Sequence, residues 1–186
     1  MFEKLALIGI GLIGSSIARA TRLKGLAKTI AISTRRQETL DEARALGLGD
    51  SYTLDPIEAV KHADLVILCI PVQSYGPVME QIGPYLEPGA ILSDVGSVKG
   101  YVFRQMEPHT PKGVHLIPGH PIAGTEHSGP AAGFPELFIN RWCVLTPGKT
   151  VPAEAIARLT AFWSDLGSNV ELMEPTHHDM VLAITS

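Results

Sequence analysis

Gly9-Ile10-Gly11-Leu12-Ile13-Gly14 follows the apolar run Leu5-Ala6-Leu7-Ile8 and precedes a stretch of small residues, Ser15-Ser16-Ile17-Ala18. A G-x-G-x-x-G hexapeptide alone is weak evidence, but a strand before it and a helix after it give each glycine a task. Gly9 allows the tight turn, Gly11 lets backbone approach a pyrophosphate, and Gly14 lets the helix lie close on the sheet. The free N–H groups of Leu12, Ile13 and Gly14 at the helix start, with the positive end of its dipole, then suit a phosphate. A merely structural glycine turn would not need this placement.

Working outward, short apolar runs alternate with amphipathic stretches to the end of the chain. Strands are expected over 4–9, 29–33, 65–70, 90–94, 114–118, 143–146 and 169–173. Helices are expected over 12–24, 37–46, 55–62, 74–85, 98–107 and 152–166, with Gly25 and Gly47 as stops and Pro152 as a start. Near-continuous apolar strands such as Leu65-Val66-Ile67-Leu68-Cys69-Ile70 suit a sheet covered on both faces. The alternation predicts an α/β fold with a doubly wound, mostly parallel sheet, a Rossmann dinucleotide-binding domain over 1–174. Residues 119–141, rich in Gly, Pro and His, show no periodicity, and a connection that long is usually functional. A last helix begins near Pro175 and is still apolar at Ser186, so 175–186 reads as the start of a truncated helical domain and the chain as a fragment.

The 186 residues suffice for one substantial core, and a net charge of -4 without a Lys/Arg-rich run argues against nucleic acid as a partner. Met1-Phe2-Glu3-Lys4 lacks the basic leader and apolar stretch of a signal peptide, and no apolar run approaches the ~20 residues that span a bilayer. A cytoplasmic protein without membrane contact is the expectation. Cys69 and Cys143 fall in apolar runs and read as reduced, buried thiols.

The residue that reads the adenosine ribose should close the second strand. An acid there would accept from the 2′-OH of NAD, but the sequence has Ser33-Thr34-Arg35-Arg36. Hydroxyls followed by two arginines suit a 2′-phosphate, so Thr34, Arg35 and Arg36 point to NADP, with NAD as the alternative. Ile70 and Pro71, closing the strand over 65–70, complete the expected cofactor contacts.

Two further segments fall at strand ends, where such a fold places its chemistry: Asp94-Val95-Gly96-Ser97-Val98-Lys99-Gly100 and Gly119-His120-Pro121-Ile122-Ala123-Gly124-Thr125-Glu126. With the opening glycine motif and the closing His177-His178-Asp179-Met180, the chain resembles the prephenate/arogenate dehydrogenase family of tyrosine biosynthesis over essentially its whole length. The resemblance implies NAD(P)-dependent oxidative decarboxylation of a cyclohexadiene, with hydride passing from C4 to the nicotinamide. It makes His120 the base toward the 4-hydroxyl, Ser97 the group that orients this imidazole and reaches substrate, and Glu126 an acid at the pocket rim. Imidazole suits the proton acceptor because its pKa lies near neutrality. It further implies a homodimer built through a helical second domain. Residues that grip the substrate carboxylates would lie beyond Ser186, itself the first residue of the family's Ser-His-Leu-Pro-His segment. The fragment alone should then bind dinucleotide and turn over substrate poorly.

Other residues have plainer readings. Lys99 is expected on a helix surface, with holding a loop as the alternative. His177, His178 and Asp179 match a His-Asp pair of the family, but the first turn of a helix favours structural capping. His115, His120 and His127 match no zinc spacing, so no metal site is expected. Two other functions share the architecture: a β-hydroxyacid or imine reductase, which gives no reason for the segment around His120, and a non-catalytic dinucleotide sensor, which would not need His120 at all.

Overall fold

The computed structural model describes residues 1–185; Ser186 lies outside the described residues. β1 (Phe2–Ile8), β2 (Ala27–Ser33), β3 (Ser51–Thr53), β4 (Leu65–Leu68), β5 (Ile91–Asp94) and β6 (His115–Leu116) form a parallel sheet in the order β3-β2-β1-β4-β5-β6. The alternation of side chains along β1 explains the two covered faces. Leu5 and Leu7 enter one apolar cluster with Ile17, Phe162 and Trp163, while Ala6 and Ile8 enter another with Met79, Ile82 and Val102. α1 (Leu12–Lys24) and α6 (Ala153–Asp165) supply the first face; α4 (Tyr75–Ile82) and α5 (Lys99–Met106) supply the second. Two shorter helices, α2 (Gln37–Ala45) and α3 (Pro56–Val60), complete the crossovers, and α7 (Pro175–Thr185) follows the last strand.

The strand order reverses between β1 and β4, the place where a doubly wound sheet opens a crevice at the carboxyl ends of its strands. Gly9 leaves β1 at that point, and Ile70 and Pro71 leave β4 beside it.

The fold departs from the sequence expectation in three places. The strands near 143 and 169 do not extend the parallel sheet. Instead β7 (Gly119–Pro121), β8 (Trp142–Leu145) and β9 (Asn169–Leu172) make a second sheet, with β7 antiparallel to β8 and β8 parallel to β9. β3 is too short, and too polar at its start, to stand out in the sequence.

The third departure is the aperiodic stretch 119–141, which is not a plain loop. It begins as β7, makes 3-10 turns at Pro130–Ala132 and Pro135–Phe138, and buries Leu137 and Phe138. Phe138 meets Trp163 edge to face at 5.3 Å. Between the turns, Gly133 presses on α1. A Cβ there would collide with Ser15 Oγ and come within 2.7 Å of the Ser16 backbone nitrogen. The next residue, Phe134, donates its N–H to Ser16 Oγ at 3.1 Å. Since Gly133 has an ordinary φ of -70°, space and not backbone freedom demands glycine.

Gly133→Ala should therefore destabilise the chain by ~1–3 kcal/mol through overpacking. Gly124→Ala, with nothing within 4 Å of the added methyl, should leave the denaturation midpoint nearly unchanged. Equal midpoints for the two variants in urea would contradict the packing account.

Candidate active site

The phosphate seat is built from peptide groups. Gly9 has φ +99°, a conformation that costs a side chain dearly, and a Cβ there would collide with the Cys69 carbonyl and lie 2.8 Å from Ile70 Cγ2. Its N–H donates to the Ser33 carbonyl at 2.8 Å, tying the turn to the end of β2. A Cβ at Gly14 would stand 2.5 Å from the Gly9 carbonyl oxygen, so the helix can start this close only with glycine. Gly11, by contrast, faces open space within 4 Å. It is the N-cap of α1 and no side chain caps the helix; Ser15 and Ser16 instead turn their hydroxyls back to the Gly11 and Leu12 carbonyls at 2.7 Å. The first N–H groups of α1 are thus left for a ligand, with no acidic residue in the first turn to oppose an anion.

At the end of β2, Thr34 is half-buried and Arg35 and Arg36 are exposed. Arg36 approaches Glu38 only at 3.9 Å, with both side chains more than two-thirds in water, a pairing worth little. The two guanidinium groups are therefore available to an anion.

A second cluster lies beyond β5. Asp94 and Lys99 have fully buried side chains, and Lys99 Nζ donates to both Asp94 carboxylate oxygens at 2.8 Å. The same ammonium also donates to the Gly119 carbonyl. Asp94 accepts further from the Gly96 N–H at 2.7 Å, the Tyr75 hydroxyl at 3.1 Å and the Gly119 N–H at 3.1 Å. Burial pulls the Lys99 ammonium below the usual lysine range while Asp94 opposes that pull. Burial and the Asp94 charge together push the Tyr75 phenol well up, so it acts as a donor. Lys99 is accordingly not a surface residue but, as the alternative had it, a holder of the stretch that opens at Gly119. It ties the end of β5 to β7, one residue before His120.

His120 is half-buried, with Nδ1 2.9 Å from Nε2 of His178. His178 Nδ1 lies 2.8 Å from Asp179 Oδ1. Asp179 in turn accepts the backbone N–H groups of Lys99 and Gly100 at 2.8 Å. The expected capping by this pair is real, but it serves α5 and not the helix that contains it. Burial alone would raise the Asp179 carboxyl; hydrogen bonds from Gly100, His178 and Lys99 overcome it and hold the group below the usual range. Burial first, then the Lys99 charge, lower His120 to about 4, with Asp179 opposing. His120 is thus a neutral acceptor throughout the physiological range.

Of the other expected site residues, Ser97 is exposed in the turn before α5, and the contact described for the His120 ring is the one from Nδ1 to His178. Glu126 is exposed in the turn after β7, beside His127 at 3.5 Å. The sequence reading missed Asp94 and Tyr75 and placed His178 among the caps. Only the Asp94 position, an acid closing an apolar strand before Gly96, carried a signal. No group of three or more His, Cys, Asp or Glu side chains able to hold a metal occurs among the described residues.

Residues 17–172 match the family model described as "Prephenate dehydrogenase, nucleotide-binding domain". The chain is 44% identical over 186 residues to the cyclohexadienyl dehydrogenase of Zymomonas mobilis and 32% identical over 187 to the prephenate dehydrogenase of Bacillus subtilis. It spans all of its own length in both comparisons but only 63% and 50% of those relatives. Among solved structures, Synechocystis arogenate dehydrogenase superposes with a TM-score of 0.91 at 33% identity, over 98% of this chain and 64% of that one. Prephenate dehydrogenase from A. aeolicus, in complex with hydroxyphenyl propionate and NAD+, superposes with 0.89 at 29% identity, over 98% and 63%.

Lys99→Met should cost ~3–5 kcal/mol, since it leaves the Asp94 carboxylate buried and unpaired; a loss under ~1 kcal/mol by denaturant titration would refute this role. The His120 shift has its own signature. Between the unfolded value near 6.5 and the folded value of about 4, the unfolded chain binds a proton that the native ring does not. The stability contributed by His120 is complete above 6.5 and is lost as pH falls through that window. Its ring resonances should titrate near pH 4, and a midpoint at 6.5 would count against its burial.

Proposed function

Because the chain belongs to the prephenate dehydrogenase family through its nucleotide-binding domain, we propose that it is the cofactor-binding portion of an NAD(P)-dependent dehydrogenase that oxidatively decarboxylates prephenate or arogenate in tyrosine biosynthesis. The observation that carries this reading is the neutral, half-buried His120, fixed beyond the carboxyl edge of the same sheet that holds the glycine turn. In a non-catalytic sensor such a base would have no task.

The residues present fit a dinucleotide. Gly9, Gly11, Leu12, Ile13 and Gly14 would seat the pyrophosphate on backbone N–H groups, with Ile70 and Pro71 bordering the crevice. Thr34, Arg35 and Arg36 would hold a 2′-phosphate by charge-assisted hydrogen bonds, which makes NADP the preferred cofactor over NAD. When bound, the nicotinamide supplies the hydride acceptor. His120 accepts the 4-hydroxyl proton as C4 becomes a carbonyl carbon, and loss of the ring carboxylate as carbon dioxide aromatises the ring. Ser97 and Glu126, both exposed, are assigned to substrate contact, and Ser97 also to orienting the His120 ring.

The relatives extend well beyond the length matched here, and on that footing residues 1–174 form the cofactor domain and 175–186 open a second, helical one that completes the substrate site and a homodimer. No helix among the described residues is long and apolar enough to cross a membrane; a cytoplasmic location accords with the substrates proposed.

Calorimetric titration of the chain should give at least tenfold tighter binding of NADP than of NAD, a gap of ~1.4 kcal/mol. Preference for NAD would remove the 2′-phosphate reading and leave the dehydrogenase reading standing. In the full-length protein His120→Asn should lower kcat with prephenate or arogenate by ~10²–10⁴-fold; turnover within a few-fold of wild type would sink the assignment of the base.

A further inference from the structure

We infer that His178 and Asp179 form a positioning pair that fixes the tautomer of His120, placing its proton on Nδ1 and its free lone pair on Nε2. The inference rests on the reading of His120 as the base, and it follows from donor and acceptor counting along one chain of contacts. Asp179, held ionised below the usual carboxyl range, can only accept. The atom 2.8 Å from it, His178 Nδ1, must therefore be the donor. A neutral His178 then has its lone pair on Nε2, which stands 2.9 Å from His120 Nδ1. That contact is a hydrogen bond only if His120 donates from Nδ1, and the ring is left with Nε2 as its sole proton acceptor.

Three features of the packing hold His178 in this contact. Its side chain is fully buried. The carboxylate it meets is already engaged by the Lys99 and Gly100 N–H groups, so its position is fixed from α5. Those N–H groups are also the positive end of α5. The helix start thus does two things at once: it is capped by Asp179, and it sets the orientation in which Asp179 meets His178. A base whose lone pair is directed by a second group, itself held by a third, is a general arrangement for an activated acceptor.

The test separates this pairing from the reaction. Long-range proton–nitrogen spectra of the ligand-free chain, labelled with nitrogen-15 histidine, read each ring's tautomer directly. His120 should be in the Nδ1–H form, and so should His178. His178→Phe fills similar space but offers no acceptor, and should shift His120 toward the Nε2–H form. His178→Gln, whose amide oxygen falls near the former Nε2, should keep the Nδ1–H form. In the full-length protein kcat should fall at least tenfold in His178→Phe, with little change in KM, and recover in His178→Gln. An Nε2–H His120 in the wild-type chain, a doubly protonated His178, or an unchanged tautomer in His178→Phe would each overturn the inference. If His178→Phe does not fold, the wild-type spectrum and His178→Gln still decide. Retained turnover in His120→Asn would instead defeat the proposed reaction, whatever the tautomers are.

Discussion

The buried ion pair between Asp94 and Lys99 is the constraint on which the site depends. Two charges with no solvent contact are costly unless every lone pair and proton finds a partner. Here Asp94 gathers donors from Tyr75, Gly96, Lys99 and Gly119, and Lys99 returns a bond to the Gly119 carbonyl. These groups belong to α4, the loop after β5, α5 and β7. One carboxylate therefore sets the mutual placement of four segments, and His120 follows Gly119 directly. The pair adds less to stability than to position, because an apolar pair of equal volume could fill the same space without fixing where β7 begins.

The two halves of the site use opposite physics. The phosphate seat is made from peptide N–H groups and the absence of side chains: Gly9 and Gly14 exist because backbone must pass where a Cβ would stand. The acid–base half is made from side chains whose charges are buried, shared or suppressed. Lys99 lends positive charge that, with burial, keeps His120 unprotonated. Neutral imidazole and uncapped helix start are both set by the chain's own packing.

The sequence made the parallel sheet legible because its signals are local. Leu5 to Ile8 and Leu65 to Leu68 are apolar at every position, as strands covered on both faces must be, and Gly25 and Pro152 mark helix ends. The glycine turn and His120 were legible for the same reason, each lying in a motif read within a few residues. What escaped was set by contacts distant in sequence. Asp94 stands only five residues from Lys99, but the Gly119 carbonyl that completes the ammonium's shell lies 20 residues downstream in another element. The task of Asp179 lies with Lys99 and Gly100, 80 and 79 residues earlier. The second sheet escaped because β8 is as apolar as strands of the first, and pattern does not say which edge a strand joins.

The fit of Gly133 against Ser15 and Ser16 also has a meaning in time. The helix after the glycine turn is made well before Phe134, which bonds to Ser16 from 118 residues downstream. Contacts so far apart in sequence cost much loop entropy and close late. Until they close, the buried side of α1 that faces Gly133, Leu137 and Phe138 has no cover. The nascent chain thus carries α1 half-clad until those 118 further residues have been made.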